Sequence, residues 1–331
     1  MDKKIDFVIA WVDSSDIKWQ NLRNKYASVN PEDKAEYRYR DWWTLKYFFR
    51  WVEKFAPWVN NVFFVTFGHC PSWLNLNHPK LKFIRHENYI PKEYLPTFNS
   101  RTIDLNFHRI AELSEHFVYF NDDMFIIDSM EQSDFFESGI PRQIAGLEAI
   151  TTSNEIYAHT LLNDILLINR HFSYDEIITK NRKKWFYPGY WIKILAKTIF
   201  LKNYPNLVWF YIPHLPSPVL KSTMIKLWDD EYEVLNNSSK SKFRTVNDVN
   251  QYVFSWYDIA SGNFIPWNND IGHCFTIKGD GNWELINSIV NQNYKMICIN
   301  DTEHSFDFEK VRKDVVLAFE RLFPEKSWFE K

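Results

Sequence analysis

Short apolar runs and polar breaks alternate along the first 125 residues, and their spacing predicts strands and helices in turn. Residues 5–12, IDFVIAWV, form a continuous apolar run that ends in Asp13-Ser14-Ser15-Asp16, the pattern of a buried strand entering a polar turn. Over 41–55 the apolar positions Leu45, Phe48, Phe49, Val52 and Phe55 recur at the spacing of one helical face. A second strand is expected at 61–67 (NVFFVTF), closed by Gly68 and Pro71, and a third at 81–85. Residues 101–113 read as a helix. A fourth strand, 117–120 (FVYF), opens directly onto Asn121-Asp122-Asp123. This order predicts an α/β fold, a mostly parallel sheet with flanking helices. Ligands of such sheets gather at the carboxyl ends of the strands. Both acidic turns, 13–16 and 121–123, stand at such ends.

The rest of the chain is patterned differently. Residues 131–218 hold Trp185-Phe186-Tyr187-Pro188-Gly189-Tyr190-Trp191 and several further prolines, and are expected to form an inserted or lid region within one domain spanning 1–331. Residues 219–262 read as helical on either side of a polar break at 236–240. A strand at 296–299 leads into Asn300-Asp301 and an amphipathic helix at 308–323. There is no internal repeat and no low-complexity tract.

Composition narrows the classes. The net charge of -3 lacks the basic excess of a nucleic-acid protein, so no nucleic-acid partner is expected. Aromatic residues reach 18%, an excess that serves a core or a surface for stacking on sugars equally well. Cys70, Cys274 and Cys298 are far apart in sequence and form no C-x-x-C pair, which fits a reduced, cytoplasmic setting. The opening nine residues hold no apolar run of signal-peptide length. No stretch approaches the roughly 18 consecutive apolar residues of a membrane span, so any membrane association is expected to be peripheral, at the inner face of the cell membrane.

Adjacent carboxylates at a strand terminus, Asp122 and Asp123, supply hard oxygen ligands for Mg²⁺ (or Mn²⁺), and an ion there neutralises a substrate diphosphate. An Asn-Asp-Asp sequence also makes an ordinary turn; its position after four apolar residues is what favours chemistry. In Pro213-His214-Leu215-Pro216 the prolines restrict the backbone around an imidazole that has to be aimed. Arg244 is a candidate phosphate grip. With only 8 glycines, the chain has neither G-x-G-x-x-G nor a Walker loop, so a diphosphate has to be handled by metal and cationic side chains.

Four blocks of the sequence resemble the Stealth family, which includes bacterial capsular-polysaccharide phosphotransferases and the α/β subunit of the lysosomal-enzyme N-acetylglucosamine-1-phosphotransferase. They are IDFVIAWVDSSD at 5–16; a long block at 38–125 carrying APWV, PSWLN, LPTFNS, LSEHF and NDDMF in order; IPHLPSPVLKSTM at 212–224 with FRTVNDVNQYVFSWY at 243–257; and ICINDTEHSFDFEKVRKDVVLAFERLFP at 297–324. Two departures stand out. Thr102-Ile103-Asp104 replaces the family's usual Ala-Ile-Glu, and Trp42-Trp43 replaces more polar residues.

The resemblance implies a Rossmann-like, glycosyltransferase-A-like fold and transfer of hexose 1-phosphate from a UDP-sugar donor. The acceptor would be a hydroxyl of a lipid-linked oligosaccharide or polysaccharide, and UMP would be released. It places Asp122 and Asp123 at the metal and diphosphate, with Asp123 the principal ligand and Asp122 in support. His214 becomes the base, with Asp122 the alternative, and Arg244 stabilises the transferred phosphoryl group. Trp11, Asp13, Asp16, Asn300 and Asp301 fall on the family's donor-binding blocks. A conventional glycosyltransferase releasing UDP and a non-catalytic carbohydrate-binding protein are the competing readings.

Overall fold

The structure is a computed structural model that describes residues 3–27, 39–151, 154–279, 281–301 and 306–331. Arg38, the first residue of the second block, and residues 302–305 of the fourth lie outside the described residues. Eleven strands are described: β1 (Ile5–Ala10), β2 (Val62–Thr66), β3 (Leu81–Arg85), β4 (His116–Phe120), β5 (Met124–Ile126), β6 (Phe136–Glu137), β7 (Ile140–Gln143), β8 (Ser217–Leu220), β9 (Ile265–Pro266), β10 (Gly272–Thr276) and β11 (Met296–Asn300).

The main sheet has the order β3-β2-β1-β4-β8; its first four strands are parallel and β8 runs antiparallel to β4. Helices flank it, giving the mostly parallel α/β architecture of the glycosyltransferase-A type. β1 is central because nearly every side chain on both its faces is apolar and buried. Its exception, Asp6, is fully buried and accepts hydrogen bonds from Asn60 Nδ2 (2.7 Å), the Asn61 N–H (3.0 Å) and the Ser114 N–H (2.7 Å). Those bonds tie β1 to the segments entering β2 and β4, so the strand order is fastened at its amino end while its carboxyl end stays open.

A second sheet, β10-β11-β5, pairs β10 and β11 in parallel and β5 antiparallel to β11. Asn121, Asp122 and Asp123 therefore bridge two sheets, leaving β4 in one and entering β5 in the other. Between β5 and β8 the chain forms β6 and β7, then the helices Glu155–His171, Tyr174–Lys180, Arg182–Trp185 and Ile192–Leu201.

The aromatic excess goes mainly inside. The largest fully buried side chains include Trp51, Trp185, Tyr47, Phe7 and Phe120, and Phe7 meets Phe120 edge-on at 4.9 Å between ring centres.

Three expectations need correction. Residues 236–240 are no break: the helix Tyr232–Lys240 runs through them. Its polar side chains are buried as hydrogen-bonding groups, Asn236 Oδ1 accepting from Tyr94 Oη (2.9 Å), Ser238 Oγ from the Val249 N–H (3.0 Å) and Ser239 Oγ from Asn106 Nδ2 (3.1 Å). A polar stripe that faces a polar loop reads, in sequence, like solvent exposure. The predicted helix at 101–113 is shorter, Ser100–Leu105 followed by a single 3₁₀ turn, Phe107–Arg109. Asn106 ends it by turning its side chain back onto the Thr102 carbonyl (2.8 Å). Finally, Val219 and Leu220 belong to β8 rather than to a helix, because they complete the main sheet beside β4.

Candidate active site

The carboxyl end of β4 sets the site. Tyr119 hydrogen-bonds through its hydroxyl to Asn121, and the Ile299 N–H donates to the Asp123 carbonyl at 2.8 Å. The acidic turn is thus pinned from β11, the strand that ends in Asn300 and is followed by Asp301. Asp301 in turn faces Arg40, Nη1 to Oδ1 at 3.4 Å.

His214 approaches from the loop before β8. Its φ of 50° lies in the left-handed region, a conformation that costs a β-carbon-bearing residue on the order of 1 kcal/mol or more and is kept where the surroundings over-determine it. Here Nδ1 lies 2.7 Å from the Tyr252 hydroxyl, and Nε2 faces Asp123 Oδ2 at 3.8 Å. Burial pulls the imidazole down, but the Asp123 carboxylate outweighs it, and the net shift is upward.

Asp123 Oδ1 is buried and has no hydrogen-bond partner among the described residues. An orphaned carboxylate oxygen is the kind of group a cation satisfies. The nearest ligand atoms of Asp123, His214 and Cys298 all lie within 4.8 Å of one another. Cys298 is buried in β11 directly opposite Cys274 on β10, so cysteines 24 positions apart in sequence become neighbours across a parallel pair. Sequence spacing gave no sign of this: no motif joins residues 123, 214 and 298, and they meet only because β11 lies beside β5 while β8, just after His214, lies beside β4.

Asp122 sits on the exposed rim of the turn. Partial loss of water, and then the neighbouring charges of Asp123 and Asp41, hold its carboxyl above the usual carboxylate range. Asp41 is itself raised, first by burial and then by the charge of Asp13. Asp13, Asp41 and Asp122 therefore form a row of mutually repelling carboxylates along the rim. Asp41 was not singled out in the sequence, where it stands only as the start of a helical pattern.

Arg244 is exposed and reaches Ser100 Oγ through Nη2 at 2.9 Å. Its charge also acts on Asp104, whose carboxyl is 3% exposed and is pushed up to about 7 by burial, against the lowering effects of Tyr119 and Arg244. Burial, and then the nearness of Asp104, Tyr252 and Asp123, holds the Tyr119 phenol well above the usual range. A buried relay, Asp104–Tyr119–Asn121, thereby links the Arg244 side of the site to the acidic turn.

The β1 turn is built around a residue the sequence did not advertise. The Asp13 N–H donates to His69 Nε2 at 2.8 Å, which leaves the proton on Nδ1, 3.2 Å from Asp16 Oδ2. The other Asp16 oxygen caps the helix Ile17–Tyr26, accepting from the Lys18 N–H (2.8 Å) and the Trp19 N–H (3.3 Å). Both oxygens of Asp16 are thus engaged in shaping the turn. Asp13 Oδ1 holds Ser15, and Trp11 stacks on Phe64 at 5.7 Å with its edge toward His69. Trp11 and Asp13 stand at the end of β1, the strand beside β4.

The mostly parallel sheet thus carries an acidic turn and a constrained histidine at its carboxyl rim. The family model for Stealth protein CR2, conserved region 2, matches residues 38–143. Similarity to characterised proteins extends over the whole chain. It is 40% identical to the capsular polysaccharide phosphotransferase WcwK of Streptococcus pneumoniae, over 99% of this chain and 98% of that protein. It is 42% identical to the receptor polysaccharide phosphotransferase WefC of Streptococcus gordonii over the full length of both. With the exopolysaccharide phosphotransferase cps2G of Lactiplantibacillus plantarum it shares 36% identity over 99% of this chain and 96% of that protein. The chain belongs to the Stealth family of phosphotransferases. Among the described residues, no helix is long and apolar enough to cross a membrane.

Proposed function

We propose that this chain transfers hexose 1-phosphate from a UDP-sugar to a hydroxyl of a lipid-linked oligosaccharide or polysaccharide, on the cytoplasmic side, during synthesis of a capsule or another surface polysaccharide. The observation that carries the reading is His214, strained and held by Tyr252, facing an Asp123 whose second oxygen is unsatisfied.

The acceptor oxygen attacks the β-phosphorus of the donor. A new O–P bond forms as the bond between the β-phosphorus and the bridging oxygen breaks, and that oxygen leaves with the electron pair as part of UMP. The sugar's C1–O bond stays intact, so the anomeric configuration is kept. His214 receives the hydroxyl proton at Nε2, which is open for it in the tautomer whose Nδ1–H donates to Tyr252. Such a base contributes about 10²–10⁴-fold. Arg244 lies against the transferred phosphoryl group and balances its charge. Trp11, Asp13, Asn300 and Asp301 line the donor side, and Asp16 fixes the shape of that wall.

A divalent cation, Mg²⁺ or Mn²⁺, fits Asp123 with Asp122 in support, and when bound it would neutralise the diphosphate. The carboxylate oxygens of Asp123 and Asp122 are hard donors that suit Mg²⁺ and Mn²⁺ alike, and they leave the His214 imidazole free to act as the base.

Incubating the protein with a panel of UDP-hexoses and a lipid-linked acceptor, then resolving the nucleotide released, tests the reading. UMP with a phosphodiester product is expected. UDP with a glycoside would make the chain a conventional glycosyltransferase, and no turnover with any donor would overturn the proposal.

A further inference from the structure

The helix Ile192–Leu201 is apolar on two faces. Ile194 and Thr198 pack inward, where Ile194 and Thr198 close over Gly146. The opposite face carries Ile192, 85% exposed, Ile199, 53% exposed, and Phe200, 71% exposed, with Ala196 between them. These positions follow i, i+4, i+7 and i+8, a continuous outward stripe, and Tyr204 extends it past the helix end. Lys193 and Lys197 stand along one edge of the stripe, and Lys202 follows at its end.

Charge along this part of the chain is sharply segregated. From residue 177 to residue 228 the chain has nine lysines and arginines and no aspartate or glutamate, although its net charge is -3. Arg182 and Lys183, in the short helix just before the stripe, are exposed. Lys197 is shared with Glu148 and Lys193 lies over the Trp191 ring at 4.5 Å; neither contact covers the apolar stripe.

We infer that the outward face of Ile192–Leu201 lies on an anionic lipid bilayer, with Ile192, Ile199 and Phe200 in the acyl boundary and the neighbouring cations on the headgroups. An apolar stripe edged with lysines, on a helix with no acid of its own, is the makeup of a helix that rests in the plane of a membrane surface. At ten residues the helix is far too short to span, so it can only lie flat. The acids beside the stripe, Glu148 and Asp270, are engaged by Lys197 and by the Trp191 N–H, so Lys193 and Lys202 set the charge that the face presents, which suits an anionic lipid surface. Position fits as well. Trp191, at the helix start, touches the His273 ring at 6.3 Å, and His273 directly precedes Cys274 opposite Cys298. The docked face thereby begins one strand away from the candidate active site, where a lipid-anchored acceptor would present its sugar.

Flotation of the purified full chain with vesicles of phosphatidylcholine alone, or of phosphatidylcholine with 30 mol% phosphatidylglycerol (on the order of a bacterial inner leaflet's negative surface), tests this without substrate. Vesicle binding therefore stands or falls apart from phosphotransfer. The expected result is co-flotation with the anionic vesicles and at least about tenfold less with neutral ones. The exposed pair Ile199→Ser/Phe200→Ser should lose most of the binding with an unchanged melting temperature, and Lys193→Glu/Lys202→Glu should lose the preference for anionic lipid. Wild type left unbound by both vesicles, or a Ser/Ser variant that binds like wild type, overturns the inference. So does light scattering that shows a dimer abolished by the Ser/Ser variant, which would give the face to a second copy of the chain.

Discussion

Nε2 of His214 and Oδ2 of Asp123 stand 3.8 Å apart, although 91 residues separate them in sequence and they arrive from opposite sides of the β4–β8 edge. At that separation a hydroxyl or a cation fits between them, and neither group needs to move for the two to act on the same substrate.

Asp123→Asn should lower turnover by roughly 10²–10³-fold, the scale of a lost charge-neutralising ligand, while leaving the fold intact. Oδ1 makes no hydrogen bond among the described residues, so the amide disturbs little packing. Titration with Mn²⁺ followed by calorimetry, beside a melting curve, checks it. Undiminished activity in excess chelator would remove the ion from the reaction.

His214→Ala should lose turnover by about 10²–10⁴-fold yet bind the UDP-sugar nearly as tightly as wild type, because the imidazole acts on the acceptor's proton. Tyr252→Phe should reproduce part of the loss through kcat, since it frees the ring rather than removing it. Donor affinity that collapses together with the melting temperature would make His214 a brace for its proline-flanked loop.

Asp104→Asn should raise stability near neutral pH by roughly 1–3 kcal/mol. The carboxyl of Asp104 is raised to about 7 in the folded protein from an ordinary 3.8. Between those values the folded state holds a proton that the unfolded state releases, so stability falls as pH rises through this window. The variant should flatten the decline between about pH 4 and pH 7 in melting temperature against pH. An unchanged profile would show that Asp104 does not carry the proton.

Asn236→Ala should cost roughly 1–3 kcal/mol, because it leaves the buried Tyr94 hydroxyl without its acceptor. Adding Tyr94→Phe should restore much of the loss, as neither partner then remains unsatisfied. Denaturation of the single and double variants gives the coupling. Additive losses would mean that the bond stabilises nothing.

The four parallel strands of the main sheet were legible because each is a short run rich in apolar residues between polar turns, whereas β8, four residues that lead straight into a helix, read as part of that helix. The acidic turn was legible because it stands where such a run surfaces. Helix Tyr232–Lys240 was not, since Asn236, Ser238 and Ser239 are polar for an internal reason that local pattern does not encode. His69, Asp41, Cys274 and Cys298 were invisible for a related reason. Their roles come from strand register and turn geometry, and no spacing in the chain announces that β11 will lie beside β5. Asp104 was noticed only as one methylene short of the family's glutamate; its burial beneath Tyr119 and Arg244 emerges from the packing.

The fastening of the acidic turn has a consequence for the protein's birth. Strands β1 to β4 are translated before residue 121 and β8 by residue 220, whereas the N–H that holds the Asp123 carbonyl belongs to Ile299. A chain still being made can therefore complete its largest sheet while the turn remains unfastened. Activity then waits on β11 rather than growing with length, and a message cut short before residue 296 should yield an inert product instead of an enzyme that starts a transfer it cannot finish.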